Sequence, residues 1–179
     1  MALLGVSDVQ RDISLAERIF DQPAVFSAAV GAALLLGALG LLIGRARHWR
    51  PVCAGLAGVG LGGALSVTLL ARDSSSDQTG GWAQCIQNEF SLHGSYARLN
   101  FVMLMPFAFF AVLAVRRLLP VAALCLVLGV GIETLQAATG TGVCEMQDMA
   151  NNALGGMLAA VIAWALHQAA SRPQPRRAG

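Results

Sequence analysis

The sequence predicts an all-α membrane protein, a bundle of five transmembrane helices with its amino terminus outside and its carboxyl terminus inside the cell. Composition is the first reason. Of the 179 residues, 56% are hydrophobic and only 12% are charged, whereas a soluble domain of this size needs more polar surface to cover itself. The second reason is that the apolar residues form long uncharged runs. The formal net charge of +2 is too small to indicate a nucleic-acid partner.

Three of the apolar runs reach the length of about 20 residues that a spanning helix needs. Val25–Gly44 and Val52–Ala71 contain no charged residue. Leu118–Ala138 contains a single one, Glu133. These runs predict the first, second and fourth spans.

Two shorter runs, Phe101–Val115 and Ala153–Leu166, predict the third and fifth spans. Each reaches span length only if the polar residues at its outer end enter the membrane zone and flanking arginines extend toward the interface. Between the third and fourth spans, Arg116 and Arg117 interrupt the apolar sequence and Pro120 follows. Since proline is well tolerated in the first turn of a helix, a tight helical hairpin is predicted there.

The arginines predict the orientation, because cytoplasmic loops of membrane proteins carry an excess of basic residues. With the amino terminus outside, eight of the 12 basic residues lie in the cytoplasm, and the reverse topology inverts the ratio. The eight are Arg45, Arg47, Arg50, Arg116, Arg117, Arg172, Arg176 and Arg177.

The chain divides into five predicted segments. They are an external segment, 1–24, a two-span hairpin, 25–71, an external loop, 72–99, a three-span core, 100–167, and a disordered cytoplasmic tail, 168–179. In the first segment Val9, Ile13, Ala16 and Phe20 recur at helical spacing, which suits a short helix lying on the outer interface. An unstructured tail is the alternative.

The four cysteines divide between the spans and the outer loops. Cys53 and Cys125 fall inside spans, where a thiol acts as a small apolar side chain. Cys85 and Cys144 fall in the two outer loops, on the oxidising side under the predicted topology. A disulfide between Cys85 and Cys144 is therefore expected, with two free thiols as the alternative.

Polar side chains gather at the outer ends of three spans, where they predict a ligand-binding pocket. Glu133 and Gln136 share a helix face, as do three polar residues that open the fifth span. Pro106 interrupts the third helix near the same depth. The predicted pocket residues are Asn100, Glu133, Gln136, Asp148, Asn151 and Asn152.

A carboxylate in a spanning helix costs about 2.5–3.5 kcal/mol and normally faces the bundle or a wet cavity. Three interpretations of Glu133 remain open: hydrogen bonds between helices, a pocket for a ligand or headgroup, and conduction of protons or ions. No catalytic residue, cofactor or metal site is predicted. Glu89 and His93 are spaced to share a metal, but two ligands make a poor site.

The same positions resemble the VanZ-like family of bacterial membrane proteins. The segments "NFVMLMPFA", "IETLQ" and "DMANNALGG" are similar to the family signatures Asn-x3-Phe-x-Pro-x-Gly, Glu-x2-Gln and Asp-x3-Asn-x2-Gly. The matching residues are Asn100, Pro106, Glu133, Gln136, Asp148, Asn152 and Gly155. The resemblance covers about residues 95–167, and the first span looks like an addition to the usual four.

The chain departs from the family pattern at three places. Leu104 stands where the family usually has phenylalanine, and Ala108 where it usually has glycine. The loop before Asp148 lacks the arginine that is common in the family. If that arginine pairs with the acidic groups in other family members, Arg98 or the expected disulfide is predicted to take over this role.

The resemblance implies a multi-pass protein of the bacterial plasma membrane with a role at the cell envelope, since the family takes its name from resistance to the glycopeptide antibiotic teicoplanin. The expected partner is a membrane lipid, a lipid-linked wall precursor or a glycopeptide, and binding is favoured over catalysis. The alternatives are a small transporter or flippase subunit and a membrane enzyme acting on a lipid or wall precursor. Faces of small residues, such as Gly58 with Gly62 and Gly155 with Ala159, also allow a homo-oligomer.

Overall fold

The computed structural model describes residues 21–70, 95–139 and 145–171, together with the separate residues 10, 13, 14 and 17. Throughout those three ranges the regular structure is α-helical. The six helices are α1 (Pro23–Ala46), α2 (Pro51–Leu70), α3 (Ser95–Met103), α4 (Met105–Val115), α5 (Leu118–Thr139) and α6 (Met146–Ala170). The expected outer-interface helix lies mostly outside the described residues, although Gln10, Ile13, Ser14 and Glu17 are helical.

The predicted all-α fold with five membrane-spanning helices is confirmed. Among the described residues, five helical segments are long and apolar enough to cross a bilayer, and α3 and α4 together form the third, Ala97–Val115. The fifth, Met146–Ala170, is longer than the run predicted for it, because α6 includes the polar residues that precede its apolar part and continues past its end. The third likewise begins before Asn100.

A local break at Leu104 separates α3 from α4. Pro106 occupies the first turn of α4, where its missing N–H removes no helical hydrogen bond, whereas a continuous helix would lose one and would place the ring against the preceding turn. The side chain of Leu104 is fully buried. The break therefore lies inside the bundle, one turn from Asn100.

Two tight turns lie at one end of the bundle. The α4–α5 turn consists of Arg116 and Arg117, and Arg116 adopts the left-handed conformation (φ 57°) that ends a helix. The α1–α2 turn contains His48, also left-handed (φ 55°). The backbone N–H of Arg50 donates a hydrogen bond of 3.3 Å to the carbonyl oxygen of Ala114. This bond holds the two turns together, so the arginines that flank both of them share this end, here called the arginine end.

Small residues allow the helices to approach each other closely. A Cβ atom at Gly40 would overlap the carbonyl of Ala54, and one at Gly58 would overlap the carbonyl of Leu36. The small-residue face of α2 is therefore packed against α1 within one chain. Homo-oligomer formation stays a prediction.

The main core lies between α2, α4, α5 and α6. Its buried members include Phe107, Val112, Cys125, Ala160 and Ala163. Helix α6 contacts α3, α4 and α5, whereas α1 packs chiefly on α2 at the periphery. The central position of α6 brings its first turns between α3 and α5, where the sequence predicts the pocket.

Candidate functional site

The predicted polar residues lie at the end of the bundle opposite the arginine end. They lie in the second half of α3, in the last turns of α5 and in the first turns of α6. At the helical rise of 1.5 Å per residue, Glu133 lies about 24 Å along α5 from the arginine end. We call this end of the bundle the acidic end, because it holds Glu133, Glu145 and Asp148.

Glu133 connects α5 to the beginning of α6. Its side chain is only 3% exposed, and its carboxylate Oε2 accepts a hydrogen bond of 3.4 Å from the backbone N–H of Glu145. Glu145 is the N-cap residue of α6, and a carboxylate is stabilised by the N–H groups and the dipole at a helix amino terminus. Glu133 therefore fastens the start of α6 to α5.

Asp148, in the first turn of α6, lies close enough to Glu133 for their charges to interact. The side chain of Asn100 donates a hydrogen bond to the carboxylate of Asp148. Asp148 and Asn100 are both half-buried, whereas Glu133 is buried. Three helices thus contribute one polar cluster, with Glu133 at its bottom and Asp148 and Asn100 nearer the surface.

Two asparagines lie on α6 directly after this cluster. Asn151 and Asn152 are both 0% exposed. Within the described part of the chain, neither the amide nitrogen nor the amide oxygen of Asn152 has a hydrogen-bond partner. Such groups are rare in native proteins because each one costs about 1–3 kcal/mol, and they require an explanation such as a bound water or ligand.

Gln136 makes a different contact from the other predicted residues. Its Nε2 donates a hydrogen bond of 2.7 Å to the backbone carbonyl oxygen of Thr68, near the end of α2. The hydroxyl of Thr68 donates to the carbonyl of Ala64 within α2. Gln136 therefore links α5 to α2, beside the cluster formed by Glu133, Asp148 and Asn100.

Gly155 and Pro106 shape the helices that carry the site. A Cβ atom at Gly155 would overlap the carbonyl oxygen of Phe101, so only glycine allows α6 to lie this close to α3. The backbone of Phe101, the residue after Asn100, therefore packs directly against α6. Pro106 forms the break that lets α3 take its own direction, and the two residues together set the distance between Asn100 and Asp148.

The carboxyl groups at the acidic end lie close enough to affect each other's protonation. Burial raises the pKa of the Glu145 carboxyl above its ordinary value of 4.5, and the charge of Asp148 raises it further. Among the described residues no group of three or more histidine, cysteine, aspartate or glutamate side chains is arranged to hold a metal ion.

Two groups contribute to the site that were not predicted from the sequence, Glu145 and the carbonyl group of Thr68. Glu145 was recognisable as the last residue before α6, because N-cap positions are where a neighbouring carboxylate finds free N–H groups. No sequence signal identifies a backbone carbonyl as a partner. Cys85 and Cys144 lie outside the described residues, as do Glu89 and His93, so the disulfide stays a prediction.

A sequence model of the family described as VanZ/LLP1 matches residues 64–167. This range contains all the helices that form the acidic end, and it begins inside α2. No curated protein and no solved structure matches the chain significantly.

Proposed function

The chain belongs to the VanZ/LLP1 family, and on that premise we propose that it is a bacterial plasma-membrane protein that binds an amphiphilic component of the cell envelope at its acidic end. The ligand is a lipid, a lipid-linked wall precursor or a glycopeptide antibiotic. A role in resistance to such an antibiotic follows if the glycopeptide is the ligand.

The observation that carries this proposal is the buried amide of Asn152, whose two polar atoms have no partner in the described part of the chain. A bound polar headgroup that donates and accepts hydrogen bonds would satisfy both. Asp148 lies one helical turn before Asn152, on the same side of α6. In this proposal the amide and the carboxylate contact the same ligand.

Charge favours a headgroup rich in donors. Carboxylates accept hydrogen bonds and pair with ammonium groups, and Glu133, Glu145 and Asp148 supply three carboxyl groups within two helix ends. The half-buried positions of Asp148 and Asn100 give a headgroup a way in from the membrane surface. Its apolar part would stay in the surrounding lipid, so the site recognises the polar end of an amphiphile.

Native mass spectrometry of the detergent-extracted protein tests the proposal. Wild-type protein is expected to retain a lipid or precursor, which tandem fragmentation then identifies. Glu133→Gln is expected to lose it, because the amide keeps the size and one acceptor of the carboxyl but not its charge. Glu17→Gln removes the same charge at an exposed position before the first span and is the matched control.

If Glu133→Gln retains the same ligand to the same extent as wild type, the carboxylate has only a structural role. If wild type and Glu17→Gln retain no envelope component, even after teicoplanin or purified wall precursor is added, the binding proposal fails.

A second candidate is a membrane enzyme acting on a lipid or wall precursor. It is favoured by the pairing of Glu133 with Asp148, since two neighbouring carboxyl groups can serve as a general acid and a general base. In that case Asn100 would hold Asp148 in position. Turnover of a labelled lipid or precursor that disappears in both Glu133→Gln and Asp148→Asn distinguishes this candidate from simple binding.

A further inference from the structure

A cavity of about 770 Å³ lies on the opposite side of the molecule from the acidic end. It is formed by α1, α2, α4 and α5, and its lining is apolar apart from the arginine end. Leu36 and Leu61 mark its deep part, and Arg47, Trp49 and Arg117 line its other extreme. The volume lies within the range of about 300–1,000 Å³ that is usual for ligand sites.

This cavity is elongated, and we call it the groove. Its length corresponds to the thickness of one leaflet of a bilayer. Leu36 lies on α1 and Arg47 is the C-cap residue that directly follows α1, and the two line opposite ends of the groove. The helical rise of 1.5 Å per residue separates them by about 16 Å. Half of the hydrocarbon core is about 15 Å. An acyl chain that starts at the level of the arginines would therefore run the length of the groove without leaving its leaflet.

Charge at the arginine end selects the headgroup. Arg47 and Arg117 are exposed, and no acidic residue lines the groove in the described ranges. The sequence places every acidic residue elsewhere: up to Asp21, from Asp73 to Glu89, or from Glu133 to Asp148. Two guanidinium groups without a nearby carboxylate favour a phosphate, which arginine binds in a bidentate manner.

We infer that this groove binds an anionic phospholipid, with one acyl chain between α1, α2, α4 and α5 and its phosphate held by Arg47 and Arg117. Trp49, at the mouth, takes the position that tryptophan prefers at the level of lipid headgroups. Under the predicted orientation this is the cytoplasmic leaflet, which carries the anionic surface potential. The site is separate from the acidic end and does not depend on the proposed function there.

Native mass spectrometry tests the inference with protein reconstituted in an equimolar mixture of phosphatidylglycerol and phosphatidylcholine that have the same acyl chains. Wild type is expected to retain one phosphatidylglycerol in preference to phosphatidylcholine. The double variant Arg47→Gln/Arg117→Gln is expected to bind phosphatidylglycerol roughly 30-fold more weakly, because the charge-assisted hydrogen bonds from the two guanidinium groups to the phosphate are lost.

The matched control is Arg45→Gln/Arg116→Gln, which removes the same charge from the arginine end at residues that do not line the groove. It is expected to retain the lipid as wild type does. Arg47→Lys/Arg117→Lys is expected to bind at an intermediate level, because lysine keeps the charge but not the bidentate geometry.

Three results would overturn the inference. Equal retention of phosphatidylcholine would show that the groove does not select charge, and an equal loss in both double glutamine variants would show a general surface effect. A dimer mass without bound lipid would mean that a second copy of the chain covers the groove. Since all four arginines are exposed, their substitution leaves the folded protein available for each measurement.

Discussion

The carboxylate of Glu133, near the end of α5, accepts a hydrogen bond of 3.4 Å from the backbone N–H of Glu145, at the start of α6. This contact joins a buried acid of one spanning helix to the free N–H groups of the next. Glu133 thus has a structural role in addition to any role in function. The structural role and the proposed role in binding can be separated by experiment, because a hydrogen-bond acceptor is enough for the first, whereas the proposal assigns the second to the charged carboxyl group.

Substitution of Glu133 is expected to separate stability from binding. Glu133→Gln keeps an acceptor for the Glu145 N–H, so its thermal unfolding midpoint in detergent should remain near that of wild type. Glu133→Leu leaves that N–H without its acceptor and is expected to cost about 1–3 kcal/mol. Thermal unfolding followed by tryptophan fluorescence measures both. A Gln variant as unstable as the Leu variant would mean that the charge itself maintains the fold.

Gly155→Ala is expected to be strongly destabilising, because the new Cβ atom would overlap the carbonyl oxygen of Phe101. Backbone atoms cannot move aside as a flexible side chain can, so α6 must shift away from α3, at a cost of about 3 kcal/mol. The shift would also pull Asp148 away from Asn100. The thermal unfolding midpoint and the retention of the envelope ligand should therefore decline together.

The control for this prediction is Gly131→Ala, in the interior of α5. Nothing lies within 4 Å of a Cβ atom at Gly131, and alanine is a better helix former than glycine by about 1 kcal/mol. This variant should be as stable as wild type or more so. Similar losses for the two alanine variants would contradict the close approach of α3 and α6.

Much of the fold follows from the sequence because the bilayer imposes a length on every apolar helix. The break between α3 and α4 is also predictable from the sequence, because a helix that continued through Pro106 would lose a backbone hydrogen bond. The depth of Glu133 and Asp148 also follows from helical rise. Their mutual distance does not, because the rotation of each helix about its axis depends on packing such as that of Gly155 against Phe101.

Side-chain partners are the least predictable part of the site. Gln136 matches a family signature together with Glu133, yet it bonds to a backbone carbonyl of α2. Asn152 matches another and has no partner in the described ranges. A sequence pattern identifies residues that are used together, whereas the three-dimensional contacts decide whether each one binds a helix or faces a ligand.

Gln136→Leu is expected to lower stability by about 1 kcal/mol, the usual net contribution of one hydrogen bond. The loss comes from the bond of 2.7 Å between Gln136 Nε2 and the carbonyl oxygen of Thr68. Gln168→Leu, at an exposed position near the end of α6, is the matched control and should not change the unfolding midpoint. An unchanged midpoint in Gln136→Leu would show that the link between α5 and α2 is dispensable.

Glu145→Gln is expected to reduce the pH dependence of stability. Burial and the charge of Asp148 raise the pKa of Glu145 in the folded protein, so the folded state binds more protons than the unfolded state. The contribution of Glu145 is present below the ordinary pKa of 4.5 and is lost as the pH rises through the higher folded value. Unfolding midpoints across that range should decline less in Glu145→Gln than in wild type. A steeper decline in the variant would contradict the assigned direction.

Asn152→Leu is expected to distinguish a ligand site from a packing defect. The Asn152 amide has no hydrogen-bond partner in the described part of the chain, so replacing it by an apolar side chain of similar size removes no internal bond and relieves the cost of a buried polar group. In ligand-depleted detergent the unfolding midpoint should equal or exceed that of wild type. Retention of the envelope ligand should decline about tenfold, as the loss of one or two hydrogen bonds predicts.

The contrast is with Gln136→Leu, which loses a bond made inside the protein and should lower the midpoint of the ligand-free form. A lower midpoint for Asn152→Leu with undiminished ligand retention would place the amide in the packing of α6 and remove it from the site.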